Sequence, residues 1–108
     1  MTVARTIQAA ALALAAAMQQ ADAAPDLKRG ETLLARHCGS CHAIGKSGDR
    51  ADKGAPALRT LSSRYPVEAL EEALGEGFMS GHPDMPEFKF DGGDVGAIIA
   101  YLKSIQTR

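Results

Sequence analysis

The sequence predicts a small all-α fold in which three main helices are joined by long loops. Two observations favour this fold: apolar residues recur at helical spacing in three segments, and no segment alternates apolar and polar residues as a half-buried strand does. The 108 residues are 45% hydrophobic and 23% charged, which is typical of one folded domain. The formal net charge of −1 argues against nucleic acid as a partner, since phosphate binding needs an excess of basic residues.

The N-terminal segment over residues 1–23 has the pattern of a secretory signal peptide. Arg5 precedes an Ala-rich apolar stretch over residues 7–18, and Ala21-Asp22-Ala23 matches the small-x-small pattern of a cleavage site. An uncleaved membrane anchor is the alternative, but this stretch is shorter than the roughly 20 residues that span a bilayer. We therefore expect export to a bacterial periplasm, a folded domain over residues 24–108, and no stable membrane insertion after cleavage.

The first helix is expected from about Asp26 to Cys38. Asp26 can cap its start, because a carboxylate accepts hydrogen bonds from the free N–H groups of the first turn. A short apolar stripe follows, made of Leu27, Leu33 and Leu34. Gly30 falls inside this helix, where a glycine costs about 1 kcal/mol relative to alanine. It is either a weak point or, as we expect, a site of close contact with another helix.

The second helix is expected from about Pro66 to Leu74, with Gly75 and Gly77 ending it. The third is expected from Gly92 to Ile105, with Asp91 as its N-cap. Its buried stripe is the clearest in the chain and consists of Val95, Ile98, Ile99, Leu102 and Ile105.

The motif that carries chemistry is Cys38-Gly39-Ser40-Cys41-His42, which has the C-x-x-C-H pattern of covalent haem attachment. Cysteines three apart on a helical turn point to one side, so both sulfurs can add to the two vinyl groups along one haem edge. His42 can then offer a neutral nitrogen to the iron. The small residues Gly39 and Ser40 leave room for the porphyrin edge.

Three other uses of a cysteine pair are possible. A redox-active dithiol is expected in a thioredoxin-like βαβ setting, which this sequence lacks. A zinc site needs four ligands and would have to recruit His37 or His82. A structural disulfide is possible in the periplasm. The predicted export favours haem over all three, and His37 is then expected to be a solvated residue on the helix surface.

A haem electron carrier usually has a sixth iron ligand, for which the candidates downstream are Met79, His82 and Met85. Met85 lies between Pro83 and Pro86, and prolines stiffen an extended loop that can aim a thioether across the ring. Met85 is therefore the predicted axial ligand opposite His42.

These residues resemble the class I cytochrome c family in its small bacterial periplasmic form, over nearly all of residues 25–106. The matching pieces, in order, are the first helix with Gly30, the Cys38–His42 motif, Ala55-Pro56-Ala57-Leu58, and the Met85 loop with the C-terminal helix. The resemblance implies a cytochrome c-like fold around one haem c attached through Cys38 and Cys41.

The resemblance also implies further roles for individual residues. The carbonyl of Pro56 would accept a hydrogen bond from His42, and Gly30 would meet the C-terminal helix near Tyr101. Apolar residues that would line the haem are Leu58, Leu70, Phe88, Ile98 and Leu102. The chain departs from the family in having Leu34 where an aromatic is common, Ala55 where a glycine is common, and no Trp to bond a propionate. Tyr65, Arg59 and Arg64 are the alternatives for that last role.

The function implied is outer-sphere transfer of single electrons by a monohaem carrier that is not an enzyme and docks transiently with redox partner proteins. The alternative is a haem protein with an open sixth site, acting as a small-ligand sensor or a peroxidase-type enzyme. Lys46, Arg50 and Lys53 after the motif form either a basic docking rim or, with the interleaved Asp49 and Asp52, a neutral solvated loop.

Overall fold

The computed structural model describes residues 26–50 and 52–107. The expected signal peptide over residues 1–23 lies outside this range. The described residues form the helices α1 (Leu27–His37), α2 (Leu70–Glu76) and α3 (Gly92–Ile105), and two short 3₁₀ helices (Leu58–Ser63 and Val67–Ala69). The described part of the chain contains no strand beyond an isolated antiparallel bridge between Phe78 and Phe88. The predicted all-α fold is confirmed.

Helix α1 begins where the sequence predicts it. The Asp26 carboxylate accepts hydrogen bonds from the N–H groups of Lys28 and Arg29 at 3.0 and 3.2 Å, which satisfies donors that the first turn leaves free. Leu33 and Leu34 are buried, so the apolar stripe faces the core.

The segment before α2 is a 3₁₀ helix, whereas the sequence predicted a single helix from about Pro66. Val67–Ala69 is a 3₁₀ helix with Pro66 as its N-cap, and α2 runs from Leu70 through Gly75 to Glu76. Gly77 ends α2 with φ of 123°, a conformation that favours glycine. The 3₁₀ helix over Leu58–Ser63 was not predicted, because it has too few residues to display an apolar period.

Helix α3 is the centre of the core. Asp91 caps it as predicted, accepting from the N–H of Asp94 at 2.9 Å. The core cluster consists of Leu33, Leu34, Leu58, Leu61, Val67, Val95, Ile98, Ile99, Leu102 and Ile105. None of the described helices is both long enough and apolar enough to traverse a bilayer.

Helices α1 and α3 cross at Gly30, as expected. A Cβ atom at Gly30 would lie 2.7 Å from the carbonyl carbon of Ala97 and 2.8 Å from Cβ of Tyr101, so only glycine allows this approach. Beside the crossing, Nε of Arg29 lies 2.8 Å from Oδ1 of Asp94. The crossing holds the first half of α1 against α3, and Leu33 and Leu34 continue the packing toward the end of the helix, where the cysteine motif follows.

Candidate functional site

Residues 38–42 form a single turn directly after α1, which we call the cysteine turn. Cys38 is the C-cap of α1 and donates its N–H to Leu34 O at 2.8 Å. The N–H groups of Cys41 and His42 both donate to Cys38 O, at 3.2 and 2.9 Å. The turn therefore continues the helix for one more revolution and sets its three functional side chains relative to α1.

Gly39 has a structural role that the sequence interpretation missed. A Cβ atom at this position would lie 2.6 Å from the carbonyl oxygen of Ala35 in α1. The glycine thus lets the turn pack against the last turn of the helix, in addition to leaving room for a porphyrin edge.

His42 is held by a backbone carbonyl. Its Nδ1 lies 2.6 Å from the carbonyl oxygen of Pro56, and since a carbonyl only accepts, Nδ1 carries the proton. The neutral ring then has its lone pair on Nε2, the state in which imidazole binds a metal. The Pro56 contact that the resemblance implies is present, and its role toward a cofactor stays a prediction.

A second backbone bond holds the segment around Pro56 in place. Leu58 donates its N–H to Ala43 O at 2.9 Å, so the residue after His42 and the second residue after Pro56 are also bonded. Ala43, Ala57 and Leu58 are all buried. The half-buried carbonyl that orients His42 is therefore directly followed by residues of the core.

The two thiols are free and half-buried. Burial raises the pKa of the Cys38 thiol to about 11, so at neutral pH it is protonated. A redox-active dithiol needs a lowered pKa at its attacking cysteine, and Cys38 has the opposite. Among the residues that the structure describes, no three His, Cys, Asp or Glu side chains group as a metal cluster, which leaves the zinc interpretation without support.

Residues 78–88 form a loop closed at its neck, which we call the methionine loop. Phe78 donates to Phe88 O at 2.8 Å, and Phe88 donates back to Phe78 O at 3.4 Å. Most of the loop is exposed, including His82, and Met79 is 75% exposed. Met85 alone among the three sixth-ligand candidates is half-buried.

The expectation that His37 is solvated is wrong. Its ring is half-buried and lies edge-on to Phe90 and Phe88, with centroids at 5.3 and 5.8 Å. The two phenylalanine rings are stacked at 6.1 Å. Sequence reasoning placed His37 on a polar helix face because the phenylalanines are about fifty residues away in the chain.

The apolar residues that the resemblance assigns to a haem wall occupy two kinds of position. Leu58, Ile98 and Leu102 are buried in the core, whereas Leu70 and Phe88 are half-buried at its edge. Half-buried apolar side chains at the edge of a core are the ones that a large apolar ligand can still cover.

Tyr101 ties α3 to the chain after the cysteine turn. Its hydroxyl donates to Ile44 O at 2.9 Å, and burial raises its pKa. The sequence offered one signal for this role, a single tyrosine beside the buried stripe of α3.

Arg59 differs from the other two candidates for a propionate contact. Tyr65 and Arg64 are exposed, whereas Nη1 of Arg59 is buried and lacks a hydrogen-bond partner among residues 26–50 and 52–107. Arg59 lines a cavity of about 580 Å³, whose other walls are Gly48, Asp49, Arg50, Lys53 and Ala57. A buried guanidinium N–H is costly without an acceptor, which distinguishes Arg59 from the two exposed candidates.

The donor set fits a covalently attached haem. Two free thiols three residues apart share one turn with an imidazole whose outer nitrogen is already bonded to a carbonyl. This combination leaves two sulfurs for bonding at a porphyrin edge and Nε2 for the iron.

Comparisons with known proteins agree with this geometry. The family model described as Cytochrome c matches residues 27–106. The chain is 30% identical to "Cytochrome c-552" of Bradyrhizobium diazoefficiens over 96 residues, which cover 88% of this chain and 90% of that relative. No solved structure matches the chain significantly.

Proposed function

The chain belongs to the cytochrome c family, and from that premise we propose that it is an exported monohaem carrier that moves single electrons between redox partners in the periplasm. The family carries covalent haem c, and Cys38 and Cys41 have the spacing of its attachment motif. The axial ligands we assign are His42 and Met85.

The observation that carries this proposal is the bond between Nδ1 of His42 and Pro56 O at 2.6 Å. It fixes the tautomer and the rotation of the ring before any cofactor is present, and it makes Nε2 a better donor. Pro56 is half-buried and directly precedes the buried Ala57, which limits the access of water to its carbonyl. A histidine with only a structural role would not need its second nitrogen left free.

The thiols of Cys38 and Cys41 are the proposed attachment points. The N–H groups of Cys41 and His42 donate to Cys38 O, which fixes the backbone of the turn, and cysteines three apart on such a turn would present both sulfurs to one side. When bound, haem c supplies an iron that gains and loses one electron. The role of the chain is to orient the ligands and keep water away from them.

Met85 is the proposed ligand on the opposite face. Its half-burial in an otherwise exposed loop, between Pro83 and Pro86, supports this assignment over Met79 and His82. A thioether favours the ferrous state, so His/Met ligation predicts a positive reduction potential.

The periplasmic location rests on the signal-like pattern over residues 1–23. Partner proteins would dock transiently through a small interface, which suits a carrier that must release each partner quickly. Arg50 and Lys53 are exposed beside the Arg59 cavity and would belong to the rim of such an interface.

The first test is export of the full chain in a bacterial host that attaches haem to C-x-x-C-H motifs. A haem stain on a denaturing gel should colour the wild-type protein and not the Cys38→Ser/Cys41→Ser variant, since only covalent haem survives denaturation. Colourless wild-type protein from a host that matures a control cytochrome would contradict the proposal.

The second test addresses the ligand on the opposite face. Met85→Ala should lower the reduction potential and raise the affinity of the reduced protein for carbon monoxide by at least ~10-fold, since the sixth position opens. Met79→Ala is the matched control and should change neither quantity. Equal carbon monoxide affinities for wild type and Met85→Ala would instead favour the open-site alternative, a sensor or peroxidase-type enzyme.

A further inference from the structure

His37 occupies the junction between α1 and the methionine loop. It is the last residue of α1 and directly precedes Cys38. Its imidazole meets Phe90 at an interplanar angle of 76° and Phe88 at 69°, in edge-to-face arrangements with two rings that are themselves nearly parallel, at 16°. Edge-to-face contacts of this kind prefer one orientation, because the positive ring edge is attracted to the negative ring face.

The contact between His37 and the phenylalanines is one of packing. The His37 ring has no hydrogen-bond partner among the side chains and backbone groups of the described residues, so its role there does not depend on a polar network. Any flat ring with a positive edge can make the same contact. This allows a substitution that preserves the contact to be told apart from one that removes it.

The methionine loop has little else to fix it. Apart from the bridge at its neck, the loop is ordered by short-range bonds, such as the N–H of Met85 to His82 O at 3.2 Å and that of His82 to Oγ of Ser80 at 3.1 Å. These bonds shape the loop and do not attach it to the helices. Phe88 closes the neck three residues after Met85, and Phe90 donates its N–H to Leu74 O at 2.8 Å.

Helix α1 is the fixed side of the junction. The crossing at Gly30 and the Arg29–Asp94 ion pair attach α1 to α3. Leu33 and Leu34, which lie between the crossing and His37, are buried in the core, and the cysteine turn follows His37 at the C-terminal end of α1. Any contact between that end and the methionine loop therefore relates the position of Met85 to that of His42.

We propose that His37 is a positioning residue whose ring, edge-on to Phe88 and Phe90, holds the methionine loop against the end of α1 and so keeps Met85 over the face opposite His42. The inference rests on the proposed function, because it presumes that Met85 is a ligand. His37 would contact neither the iron nor a reacting atom. It acts through the two phenylalanines.

The test uses the full-length, haem-loaded protein and four variants. His37→Ala and His37→Leu remove the ring, His37→Phe keeps a ring with a positive edge, and Arg36→Ala changes the exposed neighbour on the same helical turn. The readouts are the carbon monoxide affinity of the reduced protein and the methionine-to-iron charge-transfer absorption of the oxidised protein. Far-UV circular dichroism monitors the helices.

His37→Ala and His37→Leu should raise the carbon monoxide affinity about 10-fold and weaken the charge-transfer absorption, since the loop leaves the ring more often. His37→Phe should restore both readouts to within about 2-fold of wild type, and Arg36→Ala should match wild type. If His37→Ala does not fold, the comparison of the Leu and Phe variants, which are both apolar, carries the test.

Two results overturn the inference and differ from each other. If Met85→Ala raises the carbon monoxide affinity while the Ala and Leu variants of His37 do not, His37 does not position the loop and His/Met ligation stands. If wild type and Met85→Ala bind carbon monoxide equally, Met85 is not a ligand, and both the inference and the proposed ligation fail.

Discussion

The cysteine turn and the methionine loop differ in how the fold holds them. The turn directly follows α1, the N–H groups of Cys41 and His42 bond to Cys38 O, and His42 is bonded to the half-buried Pro56 carbonyl beside the core. The methionine loop is closed by one bridge, is mostly exposed, and touches α1 through the ring of His37. The comparison teaches that backbone bonds fix His42, the first proposed ligand, whereas Met85, the second, lies in a loop held by its neck and by side-chain packing.

This difference suits a redox carrier of the proposed kind. A histidine and two thioethers that share a helical turn cannot move independently, so one side of the cofactor would stay fixed. A thioether on a loop can adjust to the iron, since methionine has three rotatable bonds and a polarisable sulfur. The reduction potential would then be sensitive to the loop more than to the turn.

The largest predicted effect is on the stability of the crossing between α1 and α3 at Gly30. Gly30→Ala should destabilise the protein by about 3 kcal/mol, because the new Cβ meets backbone atoms of Ala97 that cannot move alone. Denaturant unfolding of the holoprotein measures this loss of stability. Gly96→Ala, in the middle of α3 with open space around its Cβ position, is the control and should gain about 0.5–1 kcal/mol. Equal stabilities of the two variants would show that the crossing is not the fixed frame described above.

The second-largest predicted effect should change the methionine loop and leave the cysteine turn unchanged. Gly77→Ala should cost about 2 kcal/mol, because φ of 123° is unfavourable for alanine, whereas the exposed Glu87 side chain near the new Cβ can move aside. Amide hydrogen exchange should become faster at Phe78, in the neck of the methionine loop, and stay unchanged at His42.

The matched control for the neck is Gly75→Ala, whose Cβ would make an ordinary contact at 3.9 Å with Val95. It should leave both amides as protected as in wild type. Faster exchange at His42 in Gly77→Ala would mean that the two regions open together, and the comparison would then not hold.

The smallest effect concerns the 3₁₀ helix after Pro56. Gln106 donates from Nε2 to Leu58 O and Leu102 O, both at 2.8 Å, and accepts from the N–H of Ser62 at 2.9 Å. Gln106→Ala should cost about 1 kcal/mol in thermal or denaturant unfolding. Ser104→Ala, which removes an exposed hydroxyl bonded to its own helix, is the control and should have no measurable effect. A loss no larger than that of the control would show that the buried Leu58 and Leu61 and the backbone bond to Ala43 hold the segment without Gln106.

Much of the fold was predictable because it depends on nearby residues. Asp26 and Asp91 cap the helices at which the sequence places them, since a cap needs only donors two or three residues away. The buried stripe of α3 follows from its period. The 3₁₀ helix over Leu58–Ser63 was not predictable, because it depends on bonds to Ala43 and Gln106, which are distant in the chain.

The features of the candidate site can also be sorted into those set by nearby residues and those set by residues distant in the chain. The spacing of Cys38, Cys41 and His42 is a property of one helical turn, and it predicted both the cofactor and one ligand. The choice of Met85 over Met79 came from the flanking prolines, and the structure adds that Met85 is the half-buried one. The environment of His37 was predicted wrongly, because Phe88 and Phe90 reach it only when the chain has returned from α2.

By itself, the sequence determined the helices, the family resemblance and the chemistry of the cysteine turn, because each depends on groups within a few residues of one another. Only the tertiary structure decided what surrounds the ligands. It placed Pro56 O on His42, Gly30 against Ala97, and the His37 ring against the neck of the methionine loop. The physical reason is distance along the chain: packing between remote segments depends on the whole core, and no local pattern of residues encodes it.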